Sequence, residues 1–143
     1  MNYDELLKSR RIRKHQASRE EIDQALELAR RDLKTARMLL NQDWDWCFAV
    51  AHDAVLQASR SYMFTKGFRP ASNESHKNTF AFMRATMGND YDDLITYFDR
   101  MRTKRNQTVY DLAGTITETE ATSLLEKAES FIEVIAVEVS GAQ

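Results

Sequence analysis

One proline, Pro70, and four glycines punctuate a chain of 143 residues. So little turn chemistry leaves long helices with few connections as the expected outcome. Apolar residues recur at helical spacing, and no segment shows a credible strand pattern. The length suits one domain, with a core attainable without staples.

Ser18 and Glu21 are spaced as a capping box, the hydroxyl taking an orphan amide and the carboxylate reaching back. A helix to about Asn41 follows. Ile22, Leu26, Ala29, Leu33, Ala36 and Leu40 form its apolar stripe. Glu27, Arg30, Arg31, Lys34 and Arg37 form an opposite face, most simply a solvated one. Asp43 or Asp45 can cap a second helix from about Trp46 to Lys66, with Gly67 closing it. That helix is apolar most of the way round, which marks it as central, and Ala49, Ala51, Ala54 and Ala58 would let a neighbour approach closely. Ser72 or Ser75 can cap a third helix reaching about Met87. After Gly88-Asn89-Asp90 a fourth runs from about Tyr91 to Leu112. Thr117 and Glu120 make a second capping box before a last helix to about Val139. The fold class is all-α: an antiparallel bundle of about five helices over residues 18–143, preceded by a basic leader over residues 1–17.

The leader holds Lys8, Arg10, Arg11, Arg13, Lys14 and His15. One reading is a solvated, partly mobile tail. The other is an arm that contacts phosphate. Leu6, Leu7 and Ile12 suggest that part of it lies against the body.

The net charge of −2 gives no overall basic field, so nucleic-acid binding would need a local patch. The single cysteine, Cys47, excludes an intramolecular disulfide and reads as a buried structural residue in its apolar run. With no signal peptide and no apolar span of about 18 residues, a cytoplasmic protein away from membranes is expected. No glycine-rich phosphate loop, metal-ligand spacing or serine elbow is present, so no cofactor or metal is implied. Glu20/Glu21 and Asp92/Asp93 are adjacent, face different ways on a helix, and read as caps or solvated charges.

The anomaly is Arg105. On the fourth helix Tyr91, Leu94, Phe98, Met101, Val109 and Leu112 fall on one face, with Arg105 in its middle. An Arg is rarely buried without a partner. It needs an acidic side chain within the fold, Asp53 for example, or a phosphate. Asn106 and Tyr110 share another face with Asp99 and Thr103. His52 reads as a satisfied core histidine. His76 reads as a polar contact in the first turn of its helix, kept neutral by the dipole. Catalysis is the alternative for both.

Three stretches then combine: Ala29-Arg30-Arg31-Asp32-Leu33-Lys34-Thr35-Ala36 within the first helix; Asp43-Trp44-Asp45-Trp46 before an Ala-rich helix, with Gly67-Phe68-Arg69-Pro70 and Ser75-His76 after it; and Arg105-Asn106-Gln107-Thr108-Val109-Tyr110-Asp111 followed by Thr117-Glu118-Thr119-Glu120-Ala121. In this order the chain resembles the HEPN superfamily (higher eukaryote and prokaryote nucleotide-binding domain). The resemblance implies a bundle that dimerises, with the signature helices of two subunits forming one cleft. Many members are metal-independent ribonucleases that use an Arg, a polar neighbour and a His four to six positions after the Arg. Some are toxins paired with a small nucleotidyltransferase antitoxin.

Arg105 matches the signature Arg, and Asn106 matches its polar neighbour. Tyr110, Asp111 and Leu112 occupy the positions open to the His, so the chain reads as a variant lacking the signature histidine. Tyr titrates near about 10 and is a poor base, whereas Arg105 could still hold phosphate. The expected function is a dimeric nucleotide- or RNA-binding protein within a toxin–antitoxin or stress-defence system, with cleavage weak or absent. Arg105, Asn106 and Tyr110 are the candidates for catalysis. Arg105, Arg102, Asn106, Tyr110 and His76 are the candidates for binding nucleotide or RNA. One alternative is an active metal-independent endoribonuclease toxin that uses His52 or His76. Another is a non-catalytic scaffold that holds an antitoxin through the leader or a helix face. Arg105 and Tyr110 lie about 140° apart on a straight helix, so sharing a pocket requires a bulge or a second subunit.

Overall fold

The computed structural model describes residues 2–141, so the outermost residues of the leader and bundle, 1 and 142–143, lie outside the described residues. The fold is an all-α bundle with one small ribbon. Its helices are α1 (Tyr3–Lys8), α2 (Arg19–Leu39), α3 (Trp44–Lys66), α4 (Ser75–Thr86), α5 (Asp92–Tyr110) and α6 (Glu118–Gly141). A single 3-10 turn, Asn89–Tyr91, leads into α5.

α3 is the central helix, as its composition predicts. It packs most extensively on α2 and α6, then on α5 and α4. Ala51, Ala54 and Ala58 are fully buried along it. These small side chains let the neighbouring backbones close in. Ser59 and Ser61 on α3 are buried because their hydroxyls donate to the Val55 and Ile22 carbonyls, at 2.8 and 2.9 Å. Gly67 closes α3 in the left-handed conformation, φ +87°, where an L side chain would be strained.

The caps differ in detail from the expected ones. Ser18 accepts from the Glu21 amide at 3.1 Å, but the Glu21 carboxylate turns away to His15 Nε2 at 2.9 Å, so only half the box forms. Thr117 and Glu120 form the full reciprocal pair, at 3.0 and 3.1 Å. Asp43 caps α3 through the Trp46 amide at 3.0 Å. Asp45 acts elsewhere. Its carboxylate accepts from the Gly114 and Ile116 amides, at 2.5 and 3.1 Å, and fixes the loop between α5 and α6. Neither Ser72 nor Ser75 caps α4. Glu74 stands at that position with φ +56° and no capping side chain, while buried Asn78 donates to the Asn73 carbonyl at 2.8 Å.

Two strands depart from the reading that none exist. β1 (Ile12–Lys14) pairs antiparallel with β2 (Phe68–Pro70), placing Ile12 opposite Pro70, Arg13 opposite Arg69 and Lys14 opposite Phe68. Bonds from His15 N to Gly67 O at 2.8 Å and from Ala71 N to Arg11 O at 2.9 Å extend the ribbon at both ends. Burial of Ile12 draws β1 in. Leu6 is also buried, and Tyr3 stacks on Phe68 and Phe82 at centroid distances of 5.1 and 5.3 Å. The face of α2 read as solvated is partly engaged: Arg30 and Arg37 pair with Glu133 and Glu129 of α6.

Ala54→Leu forces a larger side chain into the α3 interface and should cost about 1–3 kcal/mol. Urea denaturation measures it, and an unchanged midpoint would show that the interface has slack.

Candidate active site at the α3–α4–α5 junction

α5 presents Arg105 to α3. Its Nη2 donates to Asp53 Oδ1 at 2.8 Å, and its Nη1 donates to Asn106 Oδ1 at 3.3 Å. The Arg105 side chain is only 12% exposed, and Nε is buried with no partner among the described residues. The intramolecular alternative for Arg105 is therefore realised, with Asp53 as the carboxylate. The guanidinium still keeps an unused donor, which an unpaired buried group retains at a cost.

Two cavities adjoin at Ser72, Ser75 and His76, and each has a wall residue bonded to Arg105. The larger, about 720 Å³, is bounded by α2, α3, β2 and the start of α4; Asp53, His76, Arg31, Arg60 and Arg69 are among its walls. The smaller, about 350 Å³, is lined by His76, Arg102, Asn106, Ser72, Glu74, Ser75 and Lys77. Asp53 faces the first and Asn106 the second, so Arg105 bridges their walls from behind. Arg102 is held by Asp99, at 3.1 Å from Nε to Oδ1.

The titratable groups respond to this setting. Burial pushes the Asp53 carboxyl up, while the Arg105 guanidinium pulls it back toward ionisation. Burial also pushes the His76 imidazole down, and the Arg105 charge adds to that. His76 is thus kept neutral, as expected, but by burial and Arg105. His52 is fully buried. Its Nε2–H donates to the Phe98 carbonyl at 2.9 Å, and burial lowers its pKa to about 4. It is a core histidine, although its Nδ1 has no partner among the described residues.

Arg102, Asn106 and His76 line one cavity, and Arg105 bonds to Asn106. Tyr110 is not among these residues. It ends α5 at 75% exposure. No bulge occurs between Arg105 and Tyr110 to turn it inward. Leu112, expected on the apolar face, lies past the helix end at 60% exposure, because the chain leaves α5 where the Leu112 amide bonds to the Gln107 carbonyl at 2.8 Å.

The model of the HEPN domain matches residues 22–139. The chain belongs to the HEPN family. No curated protein is significantly similar to it. HEPN membership ties the chain to nucleotide- or RNA-related function. The matched region contains α3, α4 and α5, and so the whole Arg105 cluster. No histidine follows Arg105 on α5; the imidazoles that feel its charge are those of His52, in the core of α3, and of His76, from α4.

Among the described residues no cluster of His, Cys, Asp and Glu could hold a metal ion, and no helix is long and apolar enough to cross a membrane. Arg31, Asp32, Arg60 and Arg69 escaped the reading of the sequence as a site. Asp32 carried a signal: it interrupts the buried face of α2 between Ala29 and Ala36, as Arg105 interrupts that of α5. It is buried and accepts from Arg31 Nη2 at 2.9 Å.

The His52 environment sets a pH dependence. Its folded pKa lies below the unfolded value, so its contribution is fully present above about 6.5 and is lost as pH falls toward about 4. That interval corresponds to about 3 kcal/mol. Urea denaturation of wild type and His52→Gln across this range should show a steeper fall in the wild type. Equal slopes would mean that the imidazole takes up its proton in the fold as readily as in the unfolded chain.

Proposed function

We propose that this HEPN chain is a homodimeric nucleotide- or RNA-binding protein of a toxin–antitoxin or stress-defence system, in which cleavage is weak or absent. The observation that carries this reading is the convergence of Arg102, Asn106 and His76 on one cavity, with the half-used guanidinium of Arg105 behind it. A phosphate there meets fixed cations and amide and hydroxyl donors. It competes with Asp53 for Arg105. Metal-free cleavage needs both a base for the 2′-hydroxyl and an acid for the leaving oxygen. One protomer offers neutral His76 as a base, while Tyr110 stands away from the cavity. That supports binding over turnover.

The dimer brings in Tyr110. Trp46, Tyr110 and Leu112 are exposed, and Trp46 lines a small cavity with Val109 and Ala113 at the same end of the bundle. A second subunit docked there covers this apolar surface and carries Tyr110 to the composite cleft. Leu112→Asp should then halve the mass measured by light scattering. A wild-type monomer at micromolar concentration would remove the dimer from the proposal.

The electrostatic coupling of His76 to Arg105 and Asp53 favours one second reading, an endoribonuclease whose histidine comes from α4. Under binding alone, Arg105→Ala stays folded and loses RNA affinity at least about tenfold, with no cleavage by wild type. Retained affinity in folded Arg105→Ala contradicts the binding site. RNA cleavage by wild type that His76→Ala abolishes selects the enzyme.

A further inference from the structure

The β1–β2 ribbon sets two like charges face to face. Arg13 stands directly opposite Arg69, and both are exposed. Opposed like charges on a strand pair are destabilising. Among the described residues neither guanidinium has a hydrogen-bonding or ion-pair partner. β1 precedes residues 22–139, the region that matches the HEPN domain.

Arg69 also lines the larger cavity, where Arg31 of α2 and Arg60 of α3 form further cationic walls. Of the two carboxylates there, Asp32 is held by Arg31 and Asp53 by Arg105. Gln57, Ser72, Ser75 and Thr79 add polar side chains. Among the described residues no Phe, Tyr or Trp lines the cavity; its apolar walls come from Val50, Leu56 and Pro70. A site rich in guanidinium and hydroxyl groups without a broad stacking platform suits a phosphate backbone better than bases. His76 belongs to this cavity and to the smaller one beside Arg102, so the path continues to the Arg105 cluster.

We propose that Arg13 and Arg69 form a clamp for the phosphate backbone of a single-stranded polynucleotide, holding the strand at the mouth of the larger cavity on its way to Arg105. The clamp reads charge and not sequence. It relieves the repulsion between its own two arginines when a phosphodiester lies between them. The inference rests on the reading of the Arg105 site for the nature of the ligand, and it adds a contact that a mononucleotide is too short to use.

The test measures binding of fluorescently labelled oligouridylate to the full chain across a salt series. Arg13→Gln/Arg69→Gln, the two single variants and Arg105→Ala are compared with wild type, with uridine monophosphate and oligodeoxyuridylate as further probes. Losing two phosphate contacts lowers the slope of log affinity against log salt by about 1.4, and each single variant accounts for about half. Affinity of the double variant for oligouridylate falls about tenfold near physiological salt, while uridine monophosphate binds it as it binds wild type. Oligodeoxyuridylate shows the same change in slope, because the contact is to phosphate. If the double variant keeps the wild-type slope while Arg105→Ala loses binding, the clamp is overturned and the Arg105 site stands. If Arg105→Ala binds normally while the double variant loses slope, the clamp stands and the Arg105 site falls. No binding of oligouridylate by wild type overturns both.

Discussion

The ion pair between Arg105 and Asp53 fixes α5 against α3 beside the wall of the larger cavity. A guanidinium on a largely apolar helix face needs a counter-charge, and α3 supplies one at 2.8 Å. The surrounding electrostatics follow. Burial raises the Asp53 carboxyl while the cation draws it back, and His76 loses proton affinity to burial and to the same cation. The pair is only part-buried, with Asp53 39% exposed, so solvent and ligands can reach the carboxylate side. An ion pair of this kind adds little net stability, because the desolvation of its charges offsets their attraction.

The long helices were legible because their signals are local. The stripe of α2, the alanines of α3 and the reciprocal Thr117–Glu120 cap each depend on residues within a few positions of one another. The ribbon was not legible. Each strand has three residues, β2 ends in Pro70, and the pairing joins segments far apart in the chain. Burial of Ile12 and the tertiary fit of Tyr3 on Phe68 decide it, and neither shows in a pattern of period two.

The site was legible in part for the same reason. Arg105 breaks a periodic face, which local reading detects, and Asp53 could be named as one candidate partner. Geometry was needed to show that Asp53 takes only one corner of the guanidinium and that His76 shares a cavity with Arg102 and Asn106. Tyr110 was placed by its offset from Arg105. The helix ends there, so that offset leads to solvent within one protomer. Asp45 shows how a residue read as a cap can serve another end of the fold, because its carboxylate anchors the loop that follows α5.

If Arg105 serves a phosphate, Asp53 is its competitor as well as its support. The most direct measurement is the affinity of Asp53→Asn for oligouridylate beside that of wild type, at fixed salt and with melting curves to show that both are folded. The amide keeps the size of the carboxylate and removes its charge. Binding should tighten, by about three- to tenfold for the release of one partly exposed ion pair. Unchanged or weaker binding by a folded Asp53→Asn would contradict the claim and leave Arg105 as a strut between α5 and α3.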